Sequence, residues 1–165
     1  MNILDNIAEK DKEKLITVDL LGRKKKFSFE WNLPITLAEL TLVKERYKME
    51  LPKEYEAFLL KSNGAIIYND EEEGGYEILS LESAIKFTLE MNNAGYELKK
   101  KWLIFMTTLF SADMLIFDTE KINTKKYIID GDVGYPVSKW RYINGGFCIL
   151  MNRMFQCNGA MYWRW

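Results

Sequence analysis

The chain has 165 residues, 48% hydrophobic and 28% charged, with a formal net charge of −1 and no histidine. That size and balance predict one soluble globular domain over 1–165. They argue against a broad electrostatic grip on nucleic acid. The missing histidine removes His-based triads, His general bases and most metal sites.

Residues 2–14 predict a short helix with Ile3, Leu4 and Ile7 on one side and the charged run Glu9–Lys14 in solvent. No cationic start followed by an apolar stretch marks a signal peptide. The longest apolar runs, Leu103–Met106 and Phe147–Met151, are far short of a bilayer span. A cytoplasmic location with no membrane partner is the expectation. Ile16, Val18 and Leu20 alternate with polar residues, as do Phe27, Phe29 and Trp31. With Gly22 between them they predict a β-hairpin, so helix and hairpin fill 1–32.

Thr36 and Glu39 form a capping box that opens a helix, with Ile35 and Leu40 at staple positions. Leu37, Leu40, Val43 and Tyr47 are expected on its buried face. A second helix follows at 52–62. Pro52 suits its first position, Tyr55, Phe58 and Leu59 share one apolar face, and Asn63-Gly64 is expected to stop it. Ala65–Tyr68 and Tyr76–Leu79 read as strands around a loop that carries Asp70, Glu71, Glu72 and Glu73 and ends Gly74-Gly75.

Ser80 is an N-cap for a helix from Leu81 to about Asn92. Trp102–Leu109 and Met114–Asp118 read as paired strands, and Lys126–Asp130 as a third, closed by the turn dipeptide Asp130-Gly131. Phe147, Leu150, Met151, Met154 and Phe155 recur at helical spacing before Asn158-Gly159. The aromatic run Met161–Trp165 is expected to dock as a strand.

No motif carries a reaction. Four adjacent carboxylates at 70–73 repel one another, so the run reads as a solvated loop tip or as a patch for a basic protein partner. It lacks the alternation of a calcium loop. Asp113 and Asp118, five residues apart along a strand, point to opposite faces. Asp130 and Asp132 read as turn residues. Neither Gly74-Gly75 nor Gly145-Gly146 has phosphate-loop spacing. The basic clusters Arg23–Lys26 and Lys99–Lys101 read as solvated turns. Trp140, Tyr142, Trp163 and Trp165 read as core more readily than as a binding groove. Cys148 and Cys157 read as reduced thiols. No cofactor and no metal are expected.

The pattern Leu51-Pro52-x-x-Tyr55-x-x-Phe58-Leu59-x-x-x-Asn63-Gly64 resembles the signature of the SUKH superfamily, which includes a fungal cell-wall-assembly regulator of the SMI/KNR family. Ile35–Tyr47 is similar to the preceding helix of bacterial members, Gly75–Ala84 to their strand and L-S-L-E helix, and Trp102–Asp118 to their paired strands. The stretch Asn158–Trp165 is similar to the G-A-x-F/Y-W-x-W ending of one bacterial branch. The family-like part runs from about 33 to 165, with Ala112 where the family usually has glycine. The resemblance implies an α+β fold, a mixed and largely antiparallel sheet with helices packed against it. It also implies a non-enzymatic immunity-type protein that neutralises a toxin domain, often a nuclease, of a bacterial polymorphic toxin system. The alternative is a regulatory or scaffold interaction module. The signature residues, with Trp163 and Trp165, are expected to be structural, and Asp70–Glu73 to meet the partner.

Overall fold

The computed structural model describes residues 15–18 (backbone only), 22–70 and 74–165. Among them eight strands pair antiparallel in chain order. They are β1 (Leu15–Val18), β2 (Lys24–Trp31), β3 (Ala65–Asp70), β4 (Gly74–Ile78), β5 (Trp102–Thr108), β6 (Met114–Asp118), β7 (Ile128–Gly131) and β8 (Arg141–Ile143). Helices α1 (Leu37–Tyr47) and α2 (Lys53–Leu59) lie between β2 and β3. Helix α3 (Leu81–Asn93) lies between β4 and β5, and α4 (Phe147–Gln156) follows β8. This is the expected α+β architecture. The predicted hairpin pairs Leu15 with Phe27 and Val18 with Lys24. The helix expected at 2–14 and residues 19–21, Leu20 among them, lie outside the described residues.

On one face of the sheet, Phe105 and Phe117 stack 3.7 Å apart and meet Tyr55 of α2 and Phe147 of α4 edge-on. Helix α3 packs against β5. There the Ile104 N–H donates to Thr88 Oγ1 at 2.9 Å, and Thr88 donates to the Ala84 carbonyl. Strand β6 is buried along its whole length, as a strand covered on both faces must be. In β4, buried Tyr76 and Ile78 alternate with half-buried Gly75 and Glu77, the mark of a strand covered on one face.

The Thr36–Glu39 capping box is present in both directions, 3.2 Å and 2.9 Å. Ile35 and Leu40 are buried as the staple requires. The rest of the expected α1 face is not. Leu37 is 67% exposed, Tyr47 is exposed and Val43 only half-buried, because α1 turns only a narrow side, centred on Leu40, toward the core.

Helix α2 is shorter than the sequence suggested. Pro52 is its N-cap, not its first helical residue, and the helix closes at Leu59. Gly64, at φ +96°, lies beyond the helix and turns the chain into β3. A Cβ there would sit 2.7 Å from the Ile78 carbonyl oxygen and 2.8 Å from Ser80 N. Close approach to the next crossover, not helix termination, is what demands glycine.

Three further expectations are corrected. Gly131 ends strand β7, and the turn comes one residue later, where Tyr135 N–H donates to the Asp132 carbonyl. Gly74-Gly75 begin β4. Residues Tyr162–Arg164 form a 3-10 turn packed on the core, not a strand. Asn158 and Gly159 do stop α4, both with positive φ, and Gly159 N–H donates to the Met154 carbonyl.

Candidate functional site

The N-terminal end of α2 and the N-terminal end of α4 meet at one carboxylate. Glu54 Oε2 accepts the Cys148 backbone N–H at 3.1 Å and the Tyr127 hydroxyl at 3.3 Å. The Phe147 N–H donates to the Tyr127 oxygen at 2.8 Å. Helix α4 begins at Gly146 and has no side-chain cap of its own. Glu54 and Tyr127 therefore satisfy two of its free donors from outside, and the carboxylate complements the positive end of the helix. Gly146 makes room for this: a Cβ would lie 2.7 Å from the Tyr127 oxygen and 2.8 Å from Glu54 Oε2. Burial raises the Tyr127 phenol above its usual range, and the Glu54 charge adds to the shift. The Cys148 thiol is raised likewise, first by burial and then by Glu54.

This junction floors a groove of about 880 Å³. Its walls are the 50–56 segment, the 122–127 segment and the 144–153 segment, with Lys44 of α1 at one end. Ile122 and Ile149 supply apolar surface, and Ile149 is exposed. The three carboxylates on the lining are all engaged. Glu56 and Glu50 pair with Lys44, and Glu54 holds α4. The volume is that of a small-ligand or peptide-segment site. With every carboxylate committed and no histidine, the described walls hold no free acid–base pair.

The signature residues lie beneath this groove. Leu51 and Pro52 line it and are buried. Tyr55, Phe58 and Leu59 are fully buried. Each such side chain contributes roughly 1.5–3 kcal/mol by transfer from water. The Tyr55 hydroxyl donates to the Leu79 carbonyl at 3.3 Å, and burial pushes its phenol well above the usual range. Asn63 ties the next crossover: its Oδ1 accepts the Leu81 N–H at 2.9 Å, and its carbonyl accepts from Asn32 Nδ2. Trp163 is half-buried against the core, whereas Trp165 is 85% exposed and supports nothing inside the described fold.

The acidic run divides. Asp70 ends β3 rather than opening a loop, is only 6% exposed, and pairs with Lys25 of β2 at 3.6 Å. Both members of that pair were expected in solvent. Cross-strand burial accounts for the difference, since a charge is tolerated inside beside an opposite one. Glu71, Glu72 and Glu73 lie outside the described residues.

Asp130 and Asp132 are not only turn residues. Arg164 donates from Nε and Nη2 to both oxygens of Asp130, at 2.8 and 2.7 Å, and from Nη1 to Asp113 at 2.9 Å. Asp132 lies 3.7 Å away. The pairing with Asp130 and Asp113 holds the guanidinium above even its usual range. This bidentate fork fastens the 162–164 turn to β7 and to the β5–β6 turn. Sequence spacing could not reveal it, because the arginine and its acids are 34 and 51 residues apart. Asp118 is separate and buried, accepting the Tyr142 hydroxyl at 2.6 Å. Trp140 and Tyr142 are half-buried, Trp140 stacking on Trp102 and donating to the Asp132 carbonyl at 2.8 Å. Cys148 and Cys157 are free thiols.

Among the described residues no group of three or more His, Cys, Asp or Glu converges as metal ligands. No helix among them is long and apolar enough to cross a membrane. No curated protein matches the chain. The model of the SMI1 / KNR4 family (SUKH-1) matches residues 34–141, from the residue before Ile35 through the first residue of β8. That match spans well over half of the sequence and takes in α1, the signature helix and all seven groove-lining residues from Lys44 to Glu56, so the chain belongs to the SMI1 / KNR4 (SUKH-1) family.

Proposed function

We propose that this protein is an immunity-type member of its family: a non-enzymatic, cytoplasmic, single-domain protein that binds and neutralises a toxin domain of a bacterial polymorphic toxin system. A nuclease is the favoured toxin class, by the resemblance described above. The observation that carries this reading is the groove beside the signature helix. Glu54 holds α4 on α2 and Glu56 pairs with Lys44 of α1, which suits a rigid binding surface better than a reaction centre. One wall, 144–153, lies beyond the residues that the family model matches. The acidic stretch Glu71–Glu73 between β3 and β4 is retained as a second contact, for a cationic partner surface, without the buried Asp70.

The test is co-expression with the toxin-like reading frame next to the gene, scored for growth and for a stable complex. Rescue with co-purification supports the reading. Continued killing beside folded protein overturns it, and a stable complex with an endogenous protein instead assigns the chain to the regulatory-module class.

A further inference from the structure

The charges around the groove do not cancel once their internal pairing is taken into account. Lys44 is held by Glu50 and Glu56, and Glu54 is held by the α4 N-terminus and Tyr127. Three cations are left on the lining: Lys53, Lys125 and Arg153, all exposed. Among the described residues neither Lys53 nor Lys125 has an ion-pair partner, and Arg153 lies over the Tyr162 ring 5.6 Å from its centroid. These three come from three walls: α2, the β6–β7 connection and α4. Between them stand Ile122 and the exposed side of Ile149.

We propose that the groove takes an acidic segment of the partner protein, an extended stretch with carboxylates flanking an apolar side chain. The apolar side chain rests on Ile122 and Ile149, and the carboxylates meet Lys53, Lys125 and Arg153. Charge complementarity selects this occupant over a cationic one. A basic segment would face three cations and find Glu54 and Glu56 already engaged, with Glu50 beside Lys44. The proposal rests on the immunity reading only in calling the partner a toxin; the chemistry of the groove stands apart from it.

The probe is a synthetic peptide of alternating glutamate and leucine, with a lysine–leucine peptide of the same length as control. Both are titrated into the ¹⁵N-labelled full chain and followed by NMR. The expected result is amide shifts confined to residues 50–56, 122–127 and 144–153 with the acidic peptide alone. In the triple variant Lys53→Glu, Lys125→Glu, Arg153→Glu the affinity falls by roughly tenfold or more, and for wild type it weakens with added salt. All three positions are exposed, so the variant is expected to fold, and its spectrum reports this directly. Shifts elsewhere, equal shifts with the lysine peptide, or unchanged affinity in the folded triple variant overturn the proposal. In co-expression, rescue by the wild type and by the triple variant alike removes the groove as the toxin site. Failure of rescue by the wild type removes the immunity reading and leaves the peptide result standing.

Discussion

Glu54 and Cys148 are 94 positions apart, yet the carboxylate of one accepts the backbone N–H of the other at 3.1 Å. The family's short signature helix thus caps the last helix of the fold and fixes the floor of the groove between them. Glu54→Ala removes an N-cap supplied in trans and is expected to lower stability by about 1 kcal/mol. Glu54→Gln keeps an acceptor and loses less. Urea unfolding checks this as a fall in the midpoint with an unchanged slope. Faster exchange of the Phe147 and Cys148 amides is the local signature.

The buried ring cluster sets a larger effect. Phe58→Ala empties a fully buried site and should destabilise by about 3–5 kcal/mol. Tyr55→Phe keeps the ring contacts with Phe105, Phe117 and Phe147 and loses only a hydrogen bond of 3.3 Å. Its expected loss is about 1 kcal/mol or less. Thermal or denaturant unfolding of both variants gives the comparison. Equal losses would mean that the hydroxyl, not the ring, anchors α2.

Gly64→Ala combines positive φ with backbone atoms under 3 Å from the new Cβ. It is expected to destabilise by about 2 kcal/mol or more. Asn63→Ala removes the acceptor of the Leu81 N–H and should lose about 1 kcal/mol. If Gly64→Ala were neutral in urea unfolding, glycine there would serve only as a loop residue.

The acidic run should separate into two phenotypes. Asp70→Ala removes a carboxylate from beside the buried Lys25 ammonium and is expected to lower stability measurably, by about 1 kcal/mol or more. Replacing Glu71, Glu72 and Glu73 with serine should leave urea unfolding almost unchanged. The same triple variant should associate more slowly with the toxin at low salt. An unchanged on-rate would remove these three residues from the interface.

Alkaline pH should unfold the protein earlier than lysine chemistry alone would. Burial raises the phenols of Tyr55, Tyr68 and Tyr127 well above their usual value, and pushes that of Tyr76 up to about 12. Each is therefore neutral in the fold when the unfolded chain begins to ionise near pH 10. Above that point the unfolded state binds fewer protons than the native one, so stability falls as pH rises. The slope is about 1.4 kcal/mol per pH unit for each such tyrosine. Below pH 10 this contribution is fully present. The part of the tyrosinate absorbance that belongs to these four phenols should appear with loss of the circular-dichroism signal, not before it.

The sequence by itself determined the local elements, because caps, alternation and turn residues act within a few positions. The Thr36–Glu39 box, the Ser80 cap, the strand pair at 102–118 and the Asn158-Gly159 stop all have causes close along the chain. The resemblance carried by Leu51–Gly64 led to the family and the α+β fold. What only the tertiary structure decided is which of these groups meet. Burial of Asp70 against Lys25, the hold of Arg164 on Asp113 and Asp130, and the use of Glu54 to cap α4 depend on strands and helices brought together from distant positions. Spacing along a chain cannot encode such encounters. A charge read as solvated becomes structural when packing gives it a partner, and the groove's remaining cations are visible only after those partners are known.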